Sequence, residues 1–362
     1  MQQSVTMRYL SNTAAQRAEM LKTIGVSDTE AFLERIPAKA RLGRDLTVPP
    51  ALAEAELVAH VRALAERNTH AADYACFLGA GAYDHYVPSV INHLLLRSEF
   101  FTAYTPYQPE ASQGTLRSIY EYQTMICELT GMDVTNASIY DGGSALAEAA
   151  LMAHGVTGRG QIVVSRAVSP LARQVVATYC AGPRLPLKSV PWADGVTDLD
   201  ALRKAVSDKT AAVMVQYPNF FGCLEDLDAV AAVAHERGAL FVVAVDPIAL
   251  AVTIYLALMG KEGLRKVATL STAKAHYAAQ ALGRVPGVSR RFDAPFFKEF
   301  ALRLPRSPDR VLRALRKRKI LGGIALGQFD RSLRDCLLVA VTETRTRTEI
   351  DAYAEALAGV VG

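Results

Sequence analysis

Apolar residues recur at helical spacing through the first part of the chain. AFLERI (31–36) and LAEAELVAHVRALAERN (52–68) carry them every three to four positions, with the proline-bounded PAKARLGRDLTVPP (37–50) between. A glycine-rich turn, FLGAGAYDHYVP (77–88), and a short helical stretch, VINHLLLRSEFF (90–101), follow. The next helix is predicted to start at Pro109, with Leu116, Ile119, Tyr120, Ile126 and Leu129 as its apolar stripe and Gly131 past its end. From there strand and helix patterns alternate. Strand-like NASIY, QIVVS, AAVMVQ and LFVVAV precede helical ALAEAALMAH, LARQVVATYC, DLDAVAAVAHERG and IALAVTIYLALMG in turn. Repeated βα units predict an α/β fold, a mostly parallel sheet with helices on both faces. The end differs: strands FFKEFALRLP and CLLVAVTE alternate with helices SPDRVLRALRKRK and TEIDAYAEALAGVV, a small α+β domain. The division read from this is a helical arm (1–68), a large α/β domain (69–265) and a small C-terminal α+β domain (266–362).

Composition narrows the class. A chain of 362 residues, 51% hydrophobic and 21% charged, is globular rather than disordered or fibrous. A net charge of +4 predicts no nucleic-acid surface. Cys76, Cys127, Cys180, Cys223 and Cys336 are scattered, with no CxxC and no metal-type spacing, and read as buried reduced thiols of a cytoplasmic protein. The start, MQQSVTMRYLSNTAAQRAEM, has no apolar run of a secretory signal. The apolar stretch 238–260 is long enough to suggest a membrane span, but Asp246 and Pro247 interrupt it. It reads as a buried strand, Leu240 to Val245, followed by a helix.

Chemistry is sought where strands end. In IYDGGSALAEAALMA (139–153) a tight turn at Gly142 and Gly143 leads, through Ser144, into a helix. Such a helix start favours an anion such as a phosphate, or is simply well capped. In VVAVDP, Asp246 ends a parallel strand, where it either pairs with a pyridinium nitrogen or caps the following helix. QYPNFFGCLED (216–226), with Asn219 and Gly222, lies at the same rim and is explained by turn chemistry.

A phosphate cradle with a strand-end Asp suggests pyridoxal phosphate, which needs a lysine. Lys274, in STAK, is the only tempting one. LRKVATLSTAKAHYAAQAL reads as one amphipathic helix with Val267, Leu270, Ala273 and Tyr277 apolar, which puts Lys274 on the solvated face. His85 and His93 are functional candidates, with a structural role the default for each. The cluster Arg316 to Lys319 ends a helix, where positive charge suits the dipole.

FLGAGAYDHYVP, the long stretch from Glu99 to Ala149 that contains TAYTPYQPEASQG, VQYPNFFGCLEDL, VVAVDPIAL and APFFKEFALRLP closely resemble one family. It is the glycine dehydrogenase (decarboxylating) subunit 1 family, the α half of the two-subunit P-protein of the glycine cleavage system. The resemblance implies a fold similar to fold-type-I pyridoxal-phosphate-dependent enzymes. It implies a homologous β subunit (subunit 2) that carries the cofactor lysine, in an α2β2 assembly. Together the halves decarboxylate glycine, release CO2 and pass the aminomethyl group to the lipoyl arm of the H-protein. By the same resemblance Tyr104 and Tyr107 match α-subunit tyrosines that reach the partner's active site, and Gly142, Gly143, Ser144 and Asp246 are the candidate cofactor contacts on this chain.

Two departures stand out. Ser169 occupies a position where the family typically has histidine, which weakens the idea of a working cofactor pocket on this chain. DPIAL runs directly into TIYLALMGKEGL at Leu250 to Thr253, where the family carries a further block the size of two to three βα units, at roughly 30 residues each. Loss of that block is expected to open a sheet edge and uncover apolar helix faces. An alternative role is then a non-catalytic scaffold that stabilises the β partner or docks the H-protein; another is a free-standing transaminase using Lys274.

Overall fold

The structure is a computed structural model that describes residues 11–44, 46–101, 105–245 and 252–362. The chain divides into two compact units, Met1–Asn68 and Thr69–Gly362. The first holds helices α1 (Ala14–Ile24) and α2 (Glu54–Ala65). Thr13 and Gln16 close a reciprocal capping box at the start of α1, which satisfies two otherwise orphaned N–H groups.

The second unit opens with β1 (Ala75–Cys76), α3 (Ser89–Leu95), α4 (Ser98–Phe101), α5 (Gln113–Thr130) and α6 (Gly142–Thr157). Then come β2 (Gln161–Ser165), α7 (Pro170–Ala181), β3 (Leu187–Val190), the hairpin β4 (Trp192–Ala193) and β5 (Val196–Thr197), and α8 (Leu199–Ala205). After these run β6 (Thr210–Tyr217), α9 (Leu227–His235), β7 (Leu240–Val245) and α10 (Val252–Gly283), which is broken at Gly260. The C-terminal elements are β8 (Ser289–Arg290), β9 (Glu299–Arg303), α11 (Pro308–Lys317), β10 (Ile320–Leu321), β11 (Ile324–Ala325), β12 (Cys336–Ala340) and α12 (Arg347–Val361).

The main sheet is parallel, in the order β3-β2-β6-β7. Alternation along its central strands builds two cores. Ile162, Val164, Ala212 and Met214 face α6 and α7, while Val163, Val213 and Val215 face α8 and α9. The second sheet is antiparallel, β11-β12-β9-β8. One of its faces is covered by α10, α11 and α12, and the other by Phe220, Phe221 and Cys223 from the loop after β6. The α/β architecture with a smaller α+β part is therefore observed.

Several expectations need correction. α5 begins at Gln113, not Pro109: Ala111 and Ser112 donate to the Gln108 carbonyl at 3.1 Å each, so the prolyl residue sits in a turn ahead of the helix. Tyr120 and Leu129 are exposed, and Met125 joins Ile126 in the covered stripe. NASIY is not a strand. Asn136 accepts from the Ser138 N–H at 2.9 Å and Ser138 adopts φ 91°, a local turn that competes with extended backbone. LFVVAV is a strand, but not a buried one: Leu240 and Val245 are exposed and the residues between them half-buried, because β7 pairs on one side only among the described residues. In α10 the buried stripe is Val267, Ser271, Ala275, Ala278 and Leu282, about one residue out of phase with the expected one. Among the described residues no helix is long and apolar enough to cross a membrane.

Candidate functional site

Tyr107 stands on the connection between α4 and α5 with its side chain 77% exposed. Its N–H donates to the Thr105 carbonyl at 2.8 Å, and Pro106 and Pro109 flank it. Proline limits the backbone on both sides, so the ring is presented outward at low entropic cost. Tyr104 lies outside the described residues.

The α6 start is a capped helix. Asp141 accepts from the Ser144 N–H and from the Ser144 hydroxyl, each at 2.8 Å. The Ser144 N–H, then its hydroxyl, hold the Asp141 carboxyl below its ordinary value. The place an incoming phosphate would take beside Gly142, Gly143 and Ser144 is thus filled by the chain's own carboxylate. Ser169 opens α7, and its N–H donates to the Gln216 side chain at 2.8 Å. Asp246 lies outside the described residues. The α6 start therefore does not by itself offer an open cradle for the phosphate of pyridoxal phosphate.

The loop after β6 is a structural knot. Buried Asn219 donates to the Gly195 carbonyl and to Glu225, both at 2.7 Å, and accepts from the N–H groups of Phe221 at 3.0 Å and Cys223 at 3.1 Å. All its polar capacity faces the chain, which answers the turn-chemistry reading. Burial raises the Glu225 carboxyl against the opposing hydrogen bonds from Asn219 and Thr197. Burial also pushes the neighbouring Cys223 thiol up to about 12, so it is inert at neutral pH.

Lys274 is half-buried rather than solvated, and its Nζ donates to the Glu343 carbonyl. It lies on α10, next to a polar cluster just past the end of β12. His85, in the glycine-rich turn, places Nδ1 2.7 Å from Glu343 Oε2, and its Nε2 faces Lys298 Nζ at 3.1 Å. An ammonium has only donors, so Nε2 accepts and Nδ1 carries the hydrogen toward Glu343. Lys298 also sits over the Tyr83 ring at 3.8 Å, and Tyr83 donates to Glu299 at 2.9 Å. Lys298 and Glu299 are 2% and 3% exposed. The legible signal was an adjacent Lys-Glu pair inside the apolar strand FFKEFALRLP, a pairing a buried strand tolerates only with partners. The cluster anchors the turn from Ala80 to Tyr86: Ala80 N–H donates to Glu299 at 2.6 Å and Tyr86 N–H to Glu343 at 2.8 Å. His93 lies in α3.

With the geometry in place, comparison with known proteins is informative. Residues 7–253 match the model of the family described as glycine cleavage system P-protein. A probable glycine dehydrogenase (decarboxylating) subunit 1 of Desulforamulus reducens is 39% identical over 445 positions, covering 98% of this chain and all of that protein. Its counterpart in Carboxydothermus hydrogenoformans is 40% identical over 445 positions with the same coverage. Those alignments run over 83 more positions than the 362 residues of this chain, and the family match stops at residue 253, where DPIAL joins TIYLALMG. Among solved structures, an inhibitor-bound glycine decarboxylase (P-protein) of the glycine cleavage system is 33% identical, with TM-score 0.86 over 98% of this chain and 100% of that one. A sphingosine-1-phosphate lyase from Burkholderia pseudomallei, 15% identical with TM-score 0.66 over 90% of this chain and 94% of that one, shares the fold.

Proposed function

The chain belongs to the glycine cleavage system P-protein family, in its glycine dehydrogenase (decarboxylating) subunit 1 group, and from that premise we propose that it works as the α half of a glycine decarboxylase. In this reading a lysine-bearing β subunit holds pyridoxal phosphate, which supplies an electron sink for the carbanion left when glycine loses CO2. The aminomethyl group then passes to the lipoyl arm of the H-protein, and the working assembly is α2β2 in the cytoplasm.

The observation that carries the reading is the outward presentation of Tyr107 on a proline-flanked turn, 77% exposed. A phenol is rigid and apolar in its ring, and its hydroxyl both donates and accepts. Held away from its own core, it suits a site completed by another subunit; Tyr104 is assigned the same part. The filled α6 start and the engaged Lys274 support placing the cofactor on the partner rather than here. They also count against the free-standing transaminase.

One observation favours a second reading. The relatives' alignments leave at least 83 positions (445 − 362) without a residue in this chain, which favours a scaffold that stabilises the β partner without contributing to chemistry. Borohydride reduction of the reconstituted αβ complex, followed by peptide mapping, tests the cofactor assignment. The reduced adduct is expected on a β-subunit lysine; an adduct on Lys274 overturns it.

A further inference from the structure

Charge is spread unevenly along the chain. Residues 284–334 hold 14 of its 40 lysines and arginines but 4 of its 36 aspartates and glutamates, although the whole chain carries only +4. α11 lies in the middle of this stretch. Pro308, Val311 and Leu315 bury its inner side. Arg310, Arg313, Arg316 and Lys317 are exposed on its outer side, and among the described residues none of the four forms an ion pair.

This helix is built against its own electrostatics. Residues three and four positions apart are neighbours on a helix surface, and the pairs Arg310–Arg313, Arg313–Arg316 and Arg313–Lys317 are all like-charged. The negative end of the helix dipole explains Arg316 and Lys317 in the last turn. It does not explain Arg313 in the middle, or Arg310 in the first turn, where a cation is disfavoured. Solubility needs no such cluster, since interspersed charges of both signs supply it.

The surroundings restrict what covers this face. From residue 271 to the end no large apolar side chain is exposed, so nothing there enters a bilayer or stacks on a nucleobase. Carboxylates border the patch. Asp309 is exposed beside Arg310, and α12, which shares the core of Val311, Leu315, Tyr353 and Leu357 with α11, exposes Asp351 and Glu355. Such a border repels an extended phosphate backbone. A folded protein can instead set carboxylates against the arginines and cations against the border, which fixes its register.

We propose that the arginine face of α11 docks a protein partner that presents a compact acidic patch, in a salt-sensitive encounter. Guanidinium groups suit this role because each can take a carboxylate through two parallel hydrogen bonds.

The test uses the full chain and a labelled, alanine-based helical peptide as a stand-in for the acidic patch. Its glutamates sit at i, i+3, i+6 and i+7, the spacing of Arg310, Arg313, Arg316 and Lys317. Fluorescence anisotropy is expected to show saturable binding, about tenfold tighter than for a scrambled peptide of the same composition and weakened about tenfold or more by raising salt from about 50 to about 300 mM. The double variant Arg313→Glu with Arg316→Glu is expected to lose this preference with unchanged circular dichroism, and to bind the same peptide made with lysine in place of glutamate. Equal binding of the patterned and scrambled peptides overturns the proposal, as does binding that the double variant leaves intact. Tighter binding of a short DNA duplex or of phosphatidylserine vesicles than of the patterned peptide overturns it in favour of those occupants. A salt-sensitive dimer of the chain alone, lost in the double variant, overturns it in favour of a second copy.

Discussion

His85 stands between two opposite charges, with Nδ1 2.7 Å from Glu343 and Nε2 3.1 Å from Lys298. Burial opposes ionisation of Glu343, but the hydrogen bonds from His85 and the Tyr86 N–H outweigh it, and its carboxyl is held below the ordinary range. A folded value below the unfolded one stabilises at pH above about 4.5 and is lost as pH falls through the folded value. Glu343→Gln should therefore lose about 1–3 kcal/mol at pH 7, and its stability should fall less steeply on acidification. Urea midpoints at pH 7 and pH 4 check both parts.

Gly222 turns at φ 81°, and an added Cβ would lie 1.9 Å from the Glu299 backbone oxygen. Neither the conformation nor the backbone contact can relax cheaply. Gly222→Ala should destabilise by about 3 kcal/mol or more, read as a fall in thermal midpoint. A neutral result would remove the assigned role of this loop in seating the small sheet.

Asn219 ties four backbone or side-chain groups together, and one of its bonds supports the buried Glu225. Asn219→Ala should cost about 1–3 kcal/mol near neutral pH. Burial has already raised Glu225, and loss of the Asn219 donor raises it further. A raised folded value favours stability at low pH and loses it as pH rises, so the variant's deficit should be larger at pH 8 than at pH 5. Denaturation at the two pH values decides this.

Asp141 fills the α6 start with its own carboxylate. Inorganic phosphate added to the wild-type chain is therefore expected to leave the Gly143 and Ser144 amide resonances in place. Asp141→Gly should lower thermal stability and make those amides respond to phosphate. A response already present in the wild type would reopen the helix start as a cofactor contact.

Much of the architecture was written in the periodicity. QIVVS and AAVMVQ announce central strands because every residue is covered or nearly so, whereas the caps Asp141, Asp198 and Asp226 are not among the residues singled out from the sequence, and at the α6 start Ser144 donates to the capping Asp141. NASIY was misread because strand propensity is redeemed only by a neighbouring strand, which this segment lacks among the described residues. The α10 stripe is out of phase because one of its buried positions, Ser271, is polar and so carries no apolar signal; it donates toward Glu343 at 3.4 Å. The cluster of His85, Lys298 and Glu343 escaped for a related reason: its members are far apart in sequence, and only the meeting of the glycine-rich turn with β9 and the end of β12 brings them together.

The central claim is that this chain lends a tyrosine to a site completed by its partner. Glycine–bicarbonate exchange by the chain reconstituted with its β subunit tests it, wild type against Tyr107→Phe, with Tyr104→Phe in parallel. Loss of one transition-state hydrogen bond should slow exchange about tenfold in each variant while the αβ complex still forms. Exchange at the wild-type rate in both variants would contradict the account and leave the chain a scaffold.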